Sequence, residues 1–92
     1  MNRFYLYVDK EEQIGEVIKK VRDLKEKEII LVVPPATSSF YHIVNLELLK
    51  KESDKIGKKL FIDTDDEKIN SLARQVGIEI FLEGVEEIIL DI

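Results

Sequence analysis

Residues 29–63 read IILVVPPATSSFYHIVNLELLKKESDKIGKKLFID: two apolar runs with a helical pattern between them. The first run, 29–33, is β-branched and leucine throughout and short enough to be a strand. Pro34 and Pro35 end it, because proline cannot donate to a strand ladder. Helical spacing then holds over about 39–56, Gly57 closes it, and Leu60-Phe61-Ile62 is apolar again. A helical connection of this length joins parallel rather than antiparallel neighbours.

The same alternation extends to both sides. Residues 4–8, FYLYV, read as a strand buried on both faces, and 78–82, IEIFL, as a fourth strand with a polar residue on one face. Ile14, Val17, Ile18, Val21 and Leu24 place a helix over 11–25. Ile69, Leu72, Ala73 and Val76 place another over 65–76, with Gly77 at its end. Continuous apolar strands mark a parallel sheet covered on both sides. The expected fold is therefore a Rossmann-like α/β domain: three-layer and doubly wound, a mainly parallel sheet of four or five strands with helices on both faces. The second strand, the most apolar, belongs inside, and orders 3-2-1-4 and 2-1-3-4 both satisfy right-handed connections. Residues 83–92 are a tail that reads equally as a helix or an edge strand.

The chain has 92 residues, enough for one domain. It is 45% hydrophobic and 36% charged, with net charge −5, which excludes disorder and argues against nucleic acid or an anionic membrane as partner. Without cysteine there are no disulfides, thiol nucleophiles or zinc-thiolate sites, and a single histidine, His42, builds no multi-histidine centre. No apolar run approaches the ~20 residues of a membrane span, and the N-terminal residues lack a signal-peptide core. A cytoplasmic protein without a cofactor is expected.

The features ILVVPP, IVNLELLKK, GKKL, the acidic turn after the third strand and LARQVGI together resemble the small N-terminal α/β domain of uncharacterised bacterial proteins. Those proteins are often membrane-attached and sometimes labelled baseplate-J-like. The resemblance runs over about four-fifths of the chain from Phe4 on, and IVNLELLKK is its most specific part. It implies the α/β fold and brings no activity and no functional residues.

Candidate sites gather where strands end, since open α/β sheets bind ligands beyond their carboxyl ends. Asp9, Asp63 and Asp65 are hard oxygen donors suited to Mg²⁺, and Asp63-Thr64-Asp65 after a strand resembles the metal motif of Toprim phosphoryl-transfer domains. That family's Glu-Gly pair after the first strand is missing here, where Val8-Asp9-Lys10 stands. Helix capping explains the same residues: Thr64 with Glu67, and Asp9 with Glu12, have capping-box spacing. Thr37, Ser38 and Ser39 precede the second helix and could hold an anion or cap the helix, but no glycine-rich phosphate loop is present.

On a helical wheel over 39–56, Glu47, Lys50, Lys51 and Asp54 face solvent, and Tyr41, Asn45, Leu48, Leu49 and Ile56 face the sheet. Asn45 then points inward and needs a backbone partner in a strand-end loop. His42 lies on the flank of the buried face and reads as a partly buried imidazole rather than a catalytic one. Phe40 and Ile43 are left toward solvent, and with Ile88, Ile89 and Leu90 of the tail they form an expected contact surface. The lysines, Lys58 and Lys59 among them, are interleaved with acids and read as a solvated surface. The leading expectation is a non-enzymatic interaction module that pairs with itself or with another protein. A small-ligand, nucleotide or anion-binding domain using Thr37, Ser38, Ser39 and Asn45 comes second, and a metal-dependent phosphoryl-transfer domain third.

Overall fold

A computed structural model of the chain describes residues 3–81. Its elements are β1 (Arg3–Tyr7), α1 (Ile14–Asp23), β2 (Glu28–Val32), a 3₁₀ turn (Ser38–Tyr41), α2 (Ile43–Lys55), β3 (Lys59–Asp63), α3 (Glu67–Val76) and β4 (Glu79–Ile80). The strands form one parallel sheet in the order β1-β2-β3-β4, with Tyr5, Ile30, Phe61 and Glu79 in one row across it. The Rossmann-like α/β class and the parallel four-stranded sheet read from the sequence are both present, and β2 is interior as expected. Ile88, Ile89 and Leu90 lie outside the described residues.

The winding differs from expectation. Neither 3-2-1-4 nor 2-1-3-4 occurs; each crossover moves one strand further in the same direction. Right-handed crossovers that never reverse put every helix on the same side. Accordingly Val17, Ile18 and Val21 of α1, Leu46 and Leu49 of α2, and Ile69 and Ala73 of α3 share one core with Ile29, Leu31, Leu60 and Ile62. Among the described residues the sheet has helices on one face, so this part of the molecule has two layers. The sequence suggested three because β2 is apolar on both faces. Ile30, on the far face, is fully buried by another means. The rings of Tyr5 and Phe81 lie 6.0 Å apart although their strands are at opposite edges, and Phe61 packs edge-on against Phe81 at 6.2 Å. These side chains lean over the sheet and cover Ile30 where a helix layer was expected.

Local signals explain most element ends. Gly77 closes α3 at φ 86°, left-handed as its place demands, and the Ile78 amide reaches back to the Ala73 carbonyl at 2.9 Å. Lys58 is not the solvated lysine its neighbours suggested. It is buried, and its Nζ donates to the carbonyls of Val21 (2.8 Å) and Leu24 at the end of α1. A cation there complements the helix dipole and satisfies free carbonyls together.

The α2 region is where the wheel misplaced residues. Residues 38–41 form a separate 3₁₀ turn, so Phe40 does not belong to the α2 wheel, and it is 0% exposed in the core. Phe40 is therefore unavailable to a partner in this fold. From Ile43 on, Leu46, Leu49 and Ser53 point inward, while Leu48 and Ile56 are exposed and Val44 is the most open at 67%. Ile43 is half-buried. One continuous 100° projection through the break shifted the phase.

Candidate functional site

Three regions hold the residues that could carry chemistry or recognition. The first is the junction of the β2–α2 and β3–α3 loops. Pro34, Pro35, Ala36 and Thr37 make a tight turn in which Thr37, fully buried, donates its hydroxyl to the Pro34 carbonyl at 2.6 Å. Ala36 is left-handed at φ 62°, which is costly for a residue with a Cβ. Its amide donates to Asp66 Oδ2 at 2.8 Å, and the Tyr41 hydroxyl donates to the same oxygen at 2.5 Å. Asp66 Oδ1 accepts from the amides of Lys68 and Ile69 at 3.0 and 3.3 Å, capping α3.

Asp66, not the expected Thr64–Glu67 pair, is thus the cap. The Thr64 hydroxyl instead accepts from the Asp66 amide at 3.2 Å. The Tyr41 hydrogen bond, followed by the Ala36 amide, holds the Asp66 carboxyl below the usual carboxylate range, and the same contact raises the Tyr41 phenol. Asp9 and Glu12 do make a reciprocal pair, but on a turn ahead of α1. The Asp9 amide donates to Glu12 Oε1 at 2.9 Å, and α1 itself begins with the Gln13 amide on Glu16 Oε1 at 2.9 Å.

The second region is a polar depression of about 200 Å³ between the turn before α1 and the start of α2. Ser38, Ser39 and Asn45 line it with Lys10, Glu12, Gln13 and His42. Three of the four expected ligand-binding residues therefore meet, and Thr37 turns away into the core. Asn45 Nδ2 donates to the Ser39 carbonyl at 2.9 Å, the backbone tie anticipated for an inward amide. Asn70 Nδ2 makes the same span on α3, to the Thr64 carbonyl at 3.2 Å. The Ser39 hydroxyl is buried without a partner among protein groups. Glu12, also buried, holds Lys20 through Oε2 at 2.6 Å, and this hydrogen bond raises the Lys20 ammonium.

The acidic residues do not converge. Asp63 and Asp65 border a depression of about 250 Å³ with Tyr7, Val32 and Pro34, whereas Asp9 lines another beside Glu16 and Lys20. Among the described residues no group of three or more His, Cys, Asp or Glu is placed to hold a metal ion.

The third region is β1 with the open sheet face beside it. β1 was expected to be buried on both faces, yet it is the edge strand and every residue in it except Leu6 is exposed. Three of the six exposed large hydrophobic side chains among the described residues are Phe4, Tyr5 and Tyr7. On the open face the Arg3 guanidinium lies 5.6 Å from the Phe81 ring centre and pairs with Glu28 at 3.2 Å; Lys59 covers Phe61 and pairs with Glu79. A signal for this face existed in the sequence. Arg3, Tyr5 and Tyr7 on β1, and Lys59 and Asp63 on either side of Phe61 on β3, put polar tips or charges at every second position but one, the period-2 mark of a half-exposed sheet.

No family model, curated protein or solved structure matches this chain. Among the described residues no helix is long and apolar enough to cross a membrane.

Proposed function

We propose that this protein is a non-enzymatic interaction module that associates with a second copy of itself through β1 and the open sheet face next to it. The observation that carries this reading is β1: an edge strand of apolar and aromatic residues, with one charged side chain, in which four of five residues are exposed. The topology supports it from the other side. Ligand crevices in open α/β sheets sit where the strand order reverses, and the order β1-β2-β3-β4 has no reversal among the described strands. Tyrosine and phenylalanine with a flanking arginine are the residue types enriched in protein interfaces.

Sedimentation of the full chain tests the reading. A dimer at micromolar concentration is expected, and Tyr7→Glu should return it to monomer with the circular dichroism of the folded chain unchanged, because Tyr7 is 71% exposed. A monomer at about 100 μM, some 7 kcal/mol short of nanomolar association, would sink self-association.

A second reading, anion binding, rests on the unpartnered Ser39 hydroxyl in the depression shared with Lys10 and His42. Titration with inorganic phosphate, watching the amide shifts of Ser38, Ser39 and Asn45, checks it. Saturable shifts below millimolar would favour it, and flat ones would dismiss it.

A further inference from the structure

Building on the self-association reading, we propose that two copies join by antiparallel pairing of their β1 edges, with Tyr5 facing Tyr5 of the second copy, to give one continuous sheet. The Val8 amide donates to the Val32 carbonyl at 2.9 Å in a register that aligns Tyr7 with Val32. Backbone groups alternate in direction along a strand, so Phe4, Leu6 and Val8 point toward β2. Arg3, Tyr5 and Tyr7 send both their N–H and their carbonyl outward. Among the described residues β2 is the only strand that pairs with β1. Such an edge is a template for another strand, and β1 carries no proline and no inward charge, its one charged side chain being Arg3 at its start.

The register follows from which groups are free. With Tyr5 on the two-fold axis, Arg3 faces Tyr7, Tyr5 faces Tyr5 and Tyr7 faces Arg3, so each outward residue of the strand exchanges both hydrogen bonds with its opposite number. Sliding the pairing to bring Arg3 against Asp9 fails, because the Asp9 amide already donates to Glu12 Oε1 and its carbonyl accepts the Glu12 amide. Sliding it the other way leaves Tyr7 without a partner inside the strand. Side chains agree with the same register. The one charge of β1, Arg3, lands beside a Tyr7 ring rather than beside another Arg3, a favourable cation–π arrangement. On the helix side Phe4, 36% exposed, falls opposite Leu6 of the second copy. The open faces merge, so that the Tyr5, Phe61 and Phe81 clusters of both copies form one aromatic band.

The chain has no cysteine, so single-cysteine variants report the register directly. Opposed residues of a hydrogen-bonded antiparallel pair lie ~5.5 Å apart at Cα, within disulfide reach, and residues four positions off register lie ~14 Å apart. Oxidation of full-length Tyr5→Cys should give a covalent dimer, Tyr7→Cys alone should not, and mixing Tyr7→Cys with Arg3→Cys should cross-link the two. Tyr5→Pro removes an outward donor and leaves the β1–β2 ladder intact; it should weaken the dimer about a hundredfold with little change in the monomer's circular dichroism. Slow hydrogen exchange at the Tyr5 and Tyr7 amides that speeds up on dilution is the matching signature. A dimer that cross-links through Tyr7→Cys, or through neither variant, overturns the register while self-association stands. A monomer overturns both, and a monomer with protected Tyr5 and Tyr7 amides shows that the edge is covered from within its own chain.

Discussion

Replacing Asp66 should be among the most damaging single changes at the loop end of this domain, although the residue is only half-buried. One carboxylate accepts four hydrogen bonds: two from the α3 amides of Lys68 and Ile69, one from the Ala36 amide and one from the Tyr41 hydroxyl. Losing a helix cap costs about 0.5–2 kcal/mol. The Ala36 amide, at the surface where water can replace its acceptor, adds about 0.5–1 kcal/mol. Asp66→Ala should therefore lose about 1–3 kcal/mol at neutral pH, against about 5–14 kcal/mol for a domain of this size. Asp66→Asn should lose less. Its remaining oxygen can keep the cap, but its NH₂ must then face the Ala36 N–H, donor against donor, while the Tyr41 hydroxyl can rotate to accept. The pH dependence separates charge from shape. The folded carboxyl sits below its unfolded value of about 3.9, so its contribution is complete above that pH and disappears as pH falls through the folded value. Urea unfolding of the natural chain and of Asp66→Asn should show a gap at pH 7 that closes toward pH 2. Equal stability at pH 7, or a gap independent of pH, would mean that the four contacts do not act through the ionised carboxylate.

Other perturbations follow from single contacts. Lys58→Met keeps the apolar stem but removes the donor shared by the Val21 and Leu24 carbonyls, and should cost about 2–3 kcal/mol in urea unfolding; a change under about 0.5 kcal/mol would return Lys58 to the solvated surface. Ala36→Gly relieves a left-handed residue and should gain about 1 kcal/mol, visible as a higher melting temperature, whereas destabilisation would contradict the φ of 62°. Asn45→Leu leaves the Ser39 carbonyl without its donor and should cost about 1–2 kcal/mol, and unchanged stability would free the amide for a role outside the fold.

What could be read in advance and what could not divide along a physical line. The strands, the helices α1 and α3, and Gly77 were legible because each signal is local: a run of β-branched residues, a 3.6-residue repeat, a residue that accepts positive φ. Asn45 was legible for the same reason, since a buried amide needs a partner and the nearest candidate lies six residues back. The α2 faces were not, because the repeat was carried through residues 38–41, where a tighter turn resets the angle and sends Phe40 inward. Asp66 escaped notice beside Asp63 and Asp65, although all three share a residue type, because its importance lies in contacts from Ala36 and Tyr41 on another loop.

The winding was the least legible feature and the one with most consequence for function. Strand order depends on which crossover goes left and which goes right, and no single residue encodes that choice. β2 even pointed the wrong way, since Ile30 looks like a residue awaiting a helix. Among the described residues Tyr5, Phe61 and Phe81 lie over it with their rings, on the face that a strand order without reversal leaves free of helices. The same order leaves β1 at an edge with Arg3, Tyr5 and Tyr7 directed outward. Topology, more than any motif, is what turns an apolar strand that looked like core into an exposed edge, the one on which the proposed pairing rests.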